Sequence, residues 1–176
     1  MKSFTLIELL VVIAIFSIAI GAISGIFISG LSSQRKVLAE QEILNQMSYV
    51  IEYMGKAIRM AKKDDVSFAG ETKNCLSGNN VNYETPTERE IKFRNHLNQC
   101  QRFYLSSNQI WEDKEGTVLA LTSPTIKVNA LRFRVSGESQ DDTNQPRVTI
   151  FMEIESGEKK LQFQTTISQR DLDVQH

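Results

Sequence analysis

Between Leu6 and Leu31 the chain carries a single charged residue, Glu8, in an otherwise apolar run. About 20 consecutive apolar residues are enough for an α-helix to cross the hydrocarbon core of a bilayer. This run is longer, so the sequence predicts a membrane-spanning helix next to the N-terminus. After Gln34 the composition is that of an ordinary soluble domain, and the 176 residues suit one such domain.

Glu8 needs an explanation, because a charge inside a membrane span is costly. The cost is about 2.5–3.5 kcal/mol at the centre of a span, and such residues commonly indicate function. The residues within helical reach of Glu8 carry no positive charge: Phe4, Thr5, Val11 and Val12. The sequence therefore predicts a partner in another molecule, at a chain terminus or among lipid headgroups. The alternative is a carboxylate that simply reaches the membrane surface.

Small residues recur every four positions in the same run, at Ser17, Gly21, Gly25 and Ser29. Such a spacing places them on one face, and small faces let membrane helices approach each other closely. We expect this face to pack against other helices. The alternative is the ordinary abundance of glycine in membrane helices.

The helix is predicted to continue beyond the membrane with one apolar face. No proline occurs between Met1 and Glu84, so a rod of more than fifty residues is expected, ending at the charged cluster 62–65. The apolar positions that recur at helical spacing are Val37, Leu44, Met47, Ile51, Met54, Ile58 and Ala61.

The C-terminal part shows the alternation typical of antiparallel strands with one buried face. Residues 62–90 and Ser136–Gln145 are predicted to be loops, and a bulge is expected near Ala130. The aromatic residues Phe103, Tyr104, Trp111 and Phe133 are expected in the sheet core. The predicted strands surround Ile91 and Phe93, Arg102–Ser106, Gln109–Glu112, Thr117–Leu121, Thr125–Val135, Val148–Ile154 and Leu161–Ile167, with hairpins at Ser107–Asn108 and at the SGEK sequence.

The charge and the cysteine content limit which functions and compartments suit this chain. The formal net charge of −1 gives no cationic footprint, so direct binding of nucleic acid is not expected. Cys75 and Cys100 both lie outside the apolar run. Outside the cytoplasm they would form a disulfide, whereas inside it they would be two reduced thiols.

No catalytic residue, metal site or cofactor is predicted. The two histidines, His96 and His176, stand in no triad or metal-ligand spacing, and no glycine-rich phosphate loop occurs. Asp141, Asp142 and Asn144 offer oxygen ligands for calcium but lack the spacing of an EF-hand, which favours a solvated loop.

The N-terminal sequence SFTLIELLVVIAIFSIAIG closely resembles that of type IV prepilins and type II secretion pseudopilins. The family motif is a small residue, usually glycine, then phenylalanine, then a carboxylate four residues later. Ser3, Phe4 and Glu8 occupy those positions, although serine replaces glycine and the leader is very short. The resemblance covers about the first thirty residues. It implies an α+β, type IV pilin-like fold, with a long N-terminal helix packed on an antiparallel sheet.

The resemblance also assigns roles. It implies that a prepilin peptidase cuts between Ser3 and Phe4 and methylates the new amine of Phe4. Glu8 would then meet the N-terminal amine of a neighbouring subunit. The implied divisions are a leader (1–3), a transmembrane and assembly helix (4–31), an amphipathic half (32–63) and a globular domain (64–176).

The expected location is the bacterial inner membrane, with a single span and the C-terminal domain outside the cytoplasm. From there an ATPase and its membrane platform would extract the subunit into a pilus or pseudopilus beside other pilin subunits. The segments LTSPTIKVNALRFRV, PRVTIFMEIE and LQFQTTISQRDLD resemble minor subunits of the W or J type. The alternatives are a major pilin, a membrane-anchored adhesin that does not polymerise, a plain single-pass anchor and a secreted product.

Overall fold

The computed structural model describes residues 5–62, 75–77, 81–137, 139, 144–157 and 159–170. One long helix packs on antiparallel sheets, so the predicted α+β class is confirmed. The elements are α1 (Leu6–Arg59), β1 (Tyr83–Thr87), β2 (Glu90–Arg94), β3 (Cys100–Ser106), β4 (Gln109–Lys114), β5 (Thr117–Ala120), β6 (Lys127–Ser136), β7 (Arg147–Ser156) and β8 (Lys159–Ser168).

The chain divides into two compact units, residues 1–39 and 40–176. In the first unit, the apolar side chains of α1 are exposed on every side of the helix. A Cβ atom built at Gly21, Gly25 or Gly30 would meet nothing within 4 Å. A helix that is apolar all round requires cover from lipid or from other helices. By length and composition, α1 can cross a membrane.

In the second unit, β1 to β5 form one five-stranded antiparallel sheet in sequential order. Ser107 and Asn108 have φ values of 50° and 61°, as a two-residue type I′ turn requires, which confirms the predicted hairpin. The prediction of a loop up to residue 90 was wrong for β1. Pro86 lies in this strand, and it is tolerated because β1 is at the edge of the sheet.

The remaining strands form a three-stranded antiparallel sheet in the order β6, β7, β8. The register of β6 against β7 shifts between Val128 and Ala130, which confirms the predicted bulge. The hairpin between β7 and β8 is also confirmed, with Gly157 in the left-handed region at φ 58°. Of the predicted loop Ser136–Gln145, residues 138 and 140–143 lie outside the described residues.

The helix face that packs on the sheets differs from the predicted one. Val37 and Leu44 are 53% and 43% exposed, so their assignment to the packed face was wrong. Ile43 and Val50, which the predicted pattern omitted, are fully buried instead. Ile43 and Leu44 are adjacent and both apolar, so the local pattern alone did not favour either residue. The fully buried apolar residues of the helix are Ile43, Met47, Val50, Met54 and Ile58, and Ala61, two residues beyond its end, is also fully buried.

Helix α1 ends at Arg59 rather than continuing to residue 63. Its last carbonyl groups need partners from elsewhere in the fold. The hydroxyl of Tyr83 donates to the carbonyl of Ile58 at 2.8 Å, and the backbone N–H of Arg170 donates to that of Arg59 at 2.8 Å. Donors from distant parts of the fold therefore satisfy the last carbonyl groups of the helix, and no glycine cap is needed.

Two aromatic residues that were predicted in the core lie on the opposite face of the five-stranded sheet. Phe103 and Phe133 are buried, as predicted. On β4, however, Ile110 and Glu112 take the buried positions, which places Trp111 on the opposite face of the sheet. Tyr104 lies across from Trp111 on the adjacent strand and is likewise only partly buried. The placement of Trp111 and Tyr104 in the core was therefore wrong.

Candidate functional site

The start of helix α1 brings Thr5 and Glu8 together. The backbone N–H and the hydroxyl of Thr5 both donate to Glu8 Oε2, each at 3.0 Å, and the N–H of Glu8 donates to Thr5 Oγ1 at 3.4 Å. This is the reciprocal arrangement of a capping box, in which a threonine at the N-cap and a glutamate three residues later satisfy each other's backbone donors. Glu8 therefore also caps the helix.

The sequence contained this signal. Thr5-Leu-Ile-Glu8 is a threonine followed three residues later by glutamate, directly before an apolar run, which is the pattern of a capping box. The prediction considered only charge and therefore missed Thr5 as a hydrogen-bond donor to Glu8. Hydrogen bonds from Thr5 do not neutralise the carboxylate, so its formal charge still needs a cationic partner.

Oxygen Oε1 of Glu8 is available for that partner. Among the described residues, both donors on the Glu8 carboxylate reach Oε2 and none reaches Oε1. A carboxylate has about four acceptor positions, so it can take further donors. Ser3 and Phe4, the predicted cleavage and methylation positions, lie outside the described residues. By sequence, Phe4 directly precedes the N-cap residue Thr5.

The predicted small-residue face remains open in the structure. Gly21 and Gly25 have free space beside them, and Ser17 and Ser29 are exposed. The hydroxyl of Ser17 donates to the carbonyl of Ile13 at 2.8 Å, one turn earlier in the same helix. This bond satisfies the hydroxyl, so the face can enter an apolar environment without an unpaired donor.

In the globular part, Cys75 and Cys100 are joined as a disulfide, with their Cα atoms 5.3 Å apart. Cys100 is the first residue of β3 and pairs with Arg94 on β2. The disulfide therefore attaches residues 75–77 to the end of the five-stranded sheet.

A partly buried cluster of polar groups joins α1 to the sheet. Glu112 is only 3% exposed, and its Oε1 accepts hydrogen bonds from Tyr53 at 2.9 Å and from Gln101 at 2.6 Å. The Lys114 ammonium lies 3.1 Å from the same oxygen and donates to the Tyr53 hydroxyl at 2.6 Å. Every charged group of the cluster has a partner within it, as a structural network requires.

Burial, together with Glu112, raises the pKa of the Tyr53 hydroxyl. Burial alone would lower the pKa of Lys114, but its hydrogen bonds to Tyr53 and Glu112 outweigh burial and raise it. The lysine is thus held charged and the tyrosine neutral. Neither group is poised for proton transfer near neutral pH.

Most of the candidate calcium ligands cannot be placed in the fold. Asp141 and Asp142 lie outside the described residues, whereas Asn144 lies within them. In the part of the chain that is described, no group of three or more His, Cys, Asp or Glu side chains could hold a metal ion.

Comparison with known proteins finds a family match at the N-terminus. The family model for the prokaryotic N-terminal methylation motif matches residues 1–24. No curated protein and no solved structure matches the chain. The motif supports a type IV prepilin-like chain and implies interaction with other pilin subunits and with prepilin peptidase. Together with the long apolar helix, it supports anchoring in a membrane.

Proposed function

We propose that this chain is a minor pilin or pseudopilin of a bacterial type IV pilus or type II secretion system. The observation that carries the proposal is the methylation motif at the start of an exposed apolar helix whose Glu8 keeps an open carboxylate oxygen. The subunit is held in the inner membrane with its globular part outside the cytoplasm. A disulfide in that part suits an oxidising compartment.

Processing begins at the N-terminus. Prepilin peptidase cleaves between Ser3 and Phe4 and methylates the amine of Phe4. Residues 4–31 then serve as both membrane anchor and assembly surface. Residues 64–176 form the globular domain, and the amphipathic helix half (32–63) covers its sheet. Cleavage creates a positively charged amine one residue before the N-cap Thr5, at the end of the chain that carries Glu8.

Glu8 and this amine form the bond between subunits. Within a bundle of packed helices an unpaired charge is strongly destabilising, whereas a paired and hydrogen-bonded one is tolerated and fixes register. Thr5 occupies Oε2, which leaves Oε1 for the methylated amine of Phe4 on the neighbouring subunit. The face formed by Ser17, Gly21, Gly25 and Ser29 lets the helices approach each other closely.

The mature N-terminus tests this proposal. Mass spectrometry of the chain from a host with an active prepilin peptidase is expected to show a mature chain that begins at Phe4 and is methylated on its N-terminal amine. The same chain from a host without the peptidase is expected to retain residues 1–3. A chain that begins at Met1 or Lys2 in both hosts would refute the prepilin function.

The proposed role as a minor subunit of the filament is tested by a separate measurement. The resemblance of the C-terminal strands to W- or J-type subunits supports a tip or initiation role. Quantitative mass spectrometry of sheared filaments is expected to find this chain at a few per cent or less of the main subunit. A chain that makes up most of the filament would instead be a major pilin.

A further inference from the structure

The outer face of the three-stranded sheet carries a block of nine side chains, none of which is a carboxylate. Three successive outward positions of each strand meet there, because β6, β7 and β8 pair without a register shift over this stretch. The residues that alternate with them, such as Phe133, Ile150 and Ile167, are buried in the core. The nine residues, here called the arginine block, are Arg132, Arg134 and Ser136 on β6, Arg147, Thr149 and Phe151 on β7, and Gln164, Thr166 and Ser168 on β8.

Three arginines give this block its charge. Arg132, Arg134 and Arg147 are exposed, and in the described part of the chain no carboxylate forms an ion pair with any of them. Glu153 occupies the adjoining row of the same face, but it accepts a hydrogen bond from Gln162 at 3.0 Å. The block therefore presents three positive charges that no described carboxylate pairs with.

The sum of charges over the whole chain conceals this surface. The formal net charge of −1 predicted no binding of nucleic acid, because acidic and basic residues balance in number. In the fold, the charges at the first end of β8 are paired, Lys159 with Glu40 and Lys160 with Glu155, each at 3.3 Å. The arginine block lies toward the other end of the same strand. A local cationic surface therefore exists on a slightly acidic chain.

The side chains of the block suit phosphate groups. A guanidinium group can bind two phosphate oxygens at once, and arginine is the preferred residue for contacts with nucleic acid. Arg132 and Arg134 are about 6.7 Å apart along β6, since each residue of a strand advances about 3.3–3.4 Å, so they can engage separate phosphates. The hydroxyls of Thr149 and Thr166 lie 3.0 Å apart and share one proton of the two, which leaves the other for an outside acceptor.

The composition of the block favours nucleic acid over an acidic protein surface. The cores of protein interfaces are about 65% apolar, whereas Phe151 is the one apolar residue of the block. Interfaces with nucleic acid are more polar and much more positively charged. Phe151 lies between Arg132 and Gln164 in one row and is partly exposed, so its ring can stack on an unpaired base.

We propose that the arginine block binds single-stranded nucleic acid without sequence preference. The three arginines hold phosphates, and Phe151 stacks on a base. The block measures about 10 Å across the strands and about 13 Å along them. This area suits two or three nucleotides, as on other sheets that bind single strands. The activity belongs to the globular domain and is independent of the proposed bond between Glu8 and Phe4.

The salt dependence of binding tests the arginines. Fluorescence anisotropy of a labelled oligothymidylate of about 12 nucleotides, titrated with the detergent-solubilised full chain, is expected to give a Kd of about 10⁻⁵–10⁻⁴ M. Three phosphate contacts predict a slope of about −2 for the logarithm of the association constant against that of the salt concentration. Arg132→Gln, Arg134→Gln and Arg147→Gln should each reduce the size of this slope by about 0.7. A slope that none of them changes would refute the assignment.

Two triple variants of equal charge separate the block from the total charge of the chain. Changing all three arginines to glutamine should abolish binding. The control variant removes three positive charges at other exposed positions and should bind with nearly unchanged affinity. Its substitutions are Lys56→Gln, Arg89→Gln and Lys127→Gln. Equal loss of binding in the two variants would refute a specific role for the block.

The class of ligand is tested by one further variant and by competition. Phe151→Leu keeps an apolar side chain but lacks the ring, so it should weaken binding about fivefold or more and leave the salt slope unchanged. A duplex of the same length, polyglutamate and vesicles of anionic lipid should each compete more weakly than unlabelled oligothymidylate at equal anionic charge. An unchanged affinity of Phe151→Leu, or equal competition by any of these three ligands, would overturn the assignment to single strands.

Discussion

The hydroxyl of Tyr53, on helix α1, donates a hydrogen bond of 2.9 Å to the carboxylate of Glu112, which is buried on β4. Tyr53 and Glu112 are 59 residues apart in the sequence, so this hydrogen bond exists only when the helix lies on the sheet. Lys114 and Gln101 complete the environment of the carboxylate. The network therefore fixes the position of the outer helix half against the strands.

Removing this hydroxyl should destabilise the fold. Tyr53→Phe keeps the ring, which packs edge-on against Phe103, but leaves the buried carboxylate with one donor fewer. We expect a loss of about 1–3 kcal/mol in the free energy of unfolding. Chemical denaturation of the detergent-solubilised chain measures it. Tyr49→Phe is the matched control, since Tyr49 is 60% exposed and should change stability little. Equal effects of the two substitutions would contradict a role for the network.

The same network predicts a dependence of stability on alkaline pH. The pKa of Tyr53 lies above its ordinary value of 10.0, through burial and the nearby Glu112, and that of Lys114 lies above 10.5 because its hydrogen bonds outweigh burial. Groups with a raised folded-state pKa contribute stability that is fully present below the ordinary value and is lost as the pH rises through the raised one.

The free energy of unfolding, measured between pH 7 and pH 11, should therefore keep the contribution of Tyr53 and Lys114 up to about pH 9 and lose it progressively above about pH 10. In Tyr53→Phe the decline should be shallower, because the tyrosine no longer titrates and Lys114 has lost one partner. An identical alkaline slope in the two proteins would show that the network does not cause it.

Two substitutions separate the functions of Glu8. Glu8→Gln retains a side-chain oxygen that can cap the helix but removes the charge. We expect it to insert into the membrane normally and to be absent from sheared filaments, because in the proposed bond between subunits the amine of the neighbouring Phe4 then lacks its counter-ion. Thr5→Val has the reverse effect, since it removes the cap hydroxyl and keeps the charge.

Immunoblots of membrane and filament fractions compare these variants. Thr5→Val is expected to assemble at a reduced level, and Thr5→Ser, which restores the hydroxyl, at the normal level. Normal incorporation of Glu8→Gln would refute the pairing between Glu8 and the amine. Loss of the chain from membranes would show that the substitution acts on insertion instead.

Gly55 offers a stabilising substitution. It is buried in α1, and a Cβ atom there would lie 3.5 Å from Cδ1 of Ile167, which is an ordinary contact. Glycine inside a helix is less favourable than alanine by about 1 kcal/mol. Gly55→Ala should therefore raise the free energy of unfolding by about 0.5–1 kcal/mol. Gly55→Leu, whose larger side chain would overlap Ile167, should lower it. A destabilised Gly55→Ala would mean that the helix and β8 approach more closely than the structure shows.

Much of the candidate site was predictable because its signals are local. Glu8 stands out as a lone charge in an apolar run, and the small residues recur at a helical spacing. Thr5 was missed although its signal is equally local, since a capping box can be read from four residues. The Tyr53–Glu112 network was not predictable, because its members come from separate elements and no spacing in the sequence relates them.

The sequence alone determined the long helix, most of the strands, their hairpins and the bulge near Ala130, because each depends on periodicity or turn residues within a few positions. Tertiary structure decided which apolar residues are covered. It buried Ile43 rather than its neighbour Leu44, placed Glu112 inside and Trp111 outside, and made an edge strand of residues around Pro86. The physical reason is that burial depends on what lies opposite a side chain, and in this chain that surface comes from residues distant in sequence.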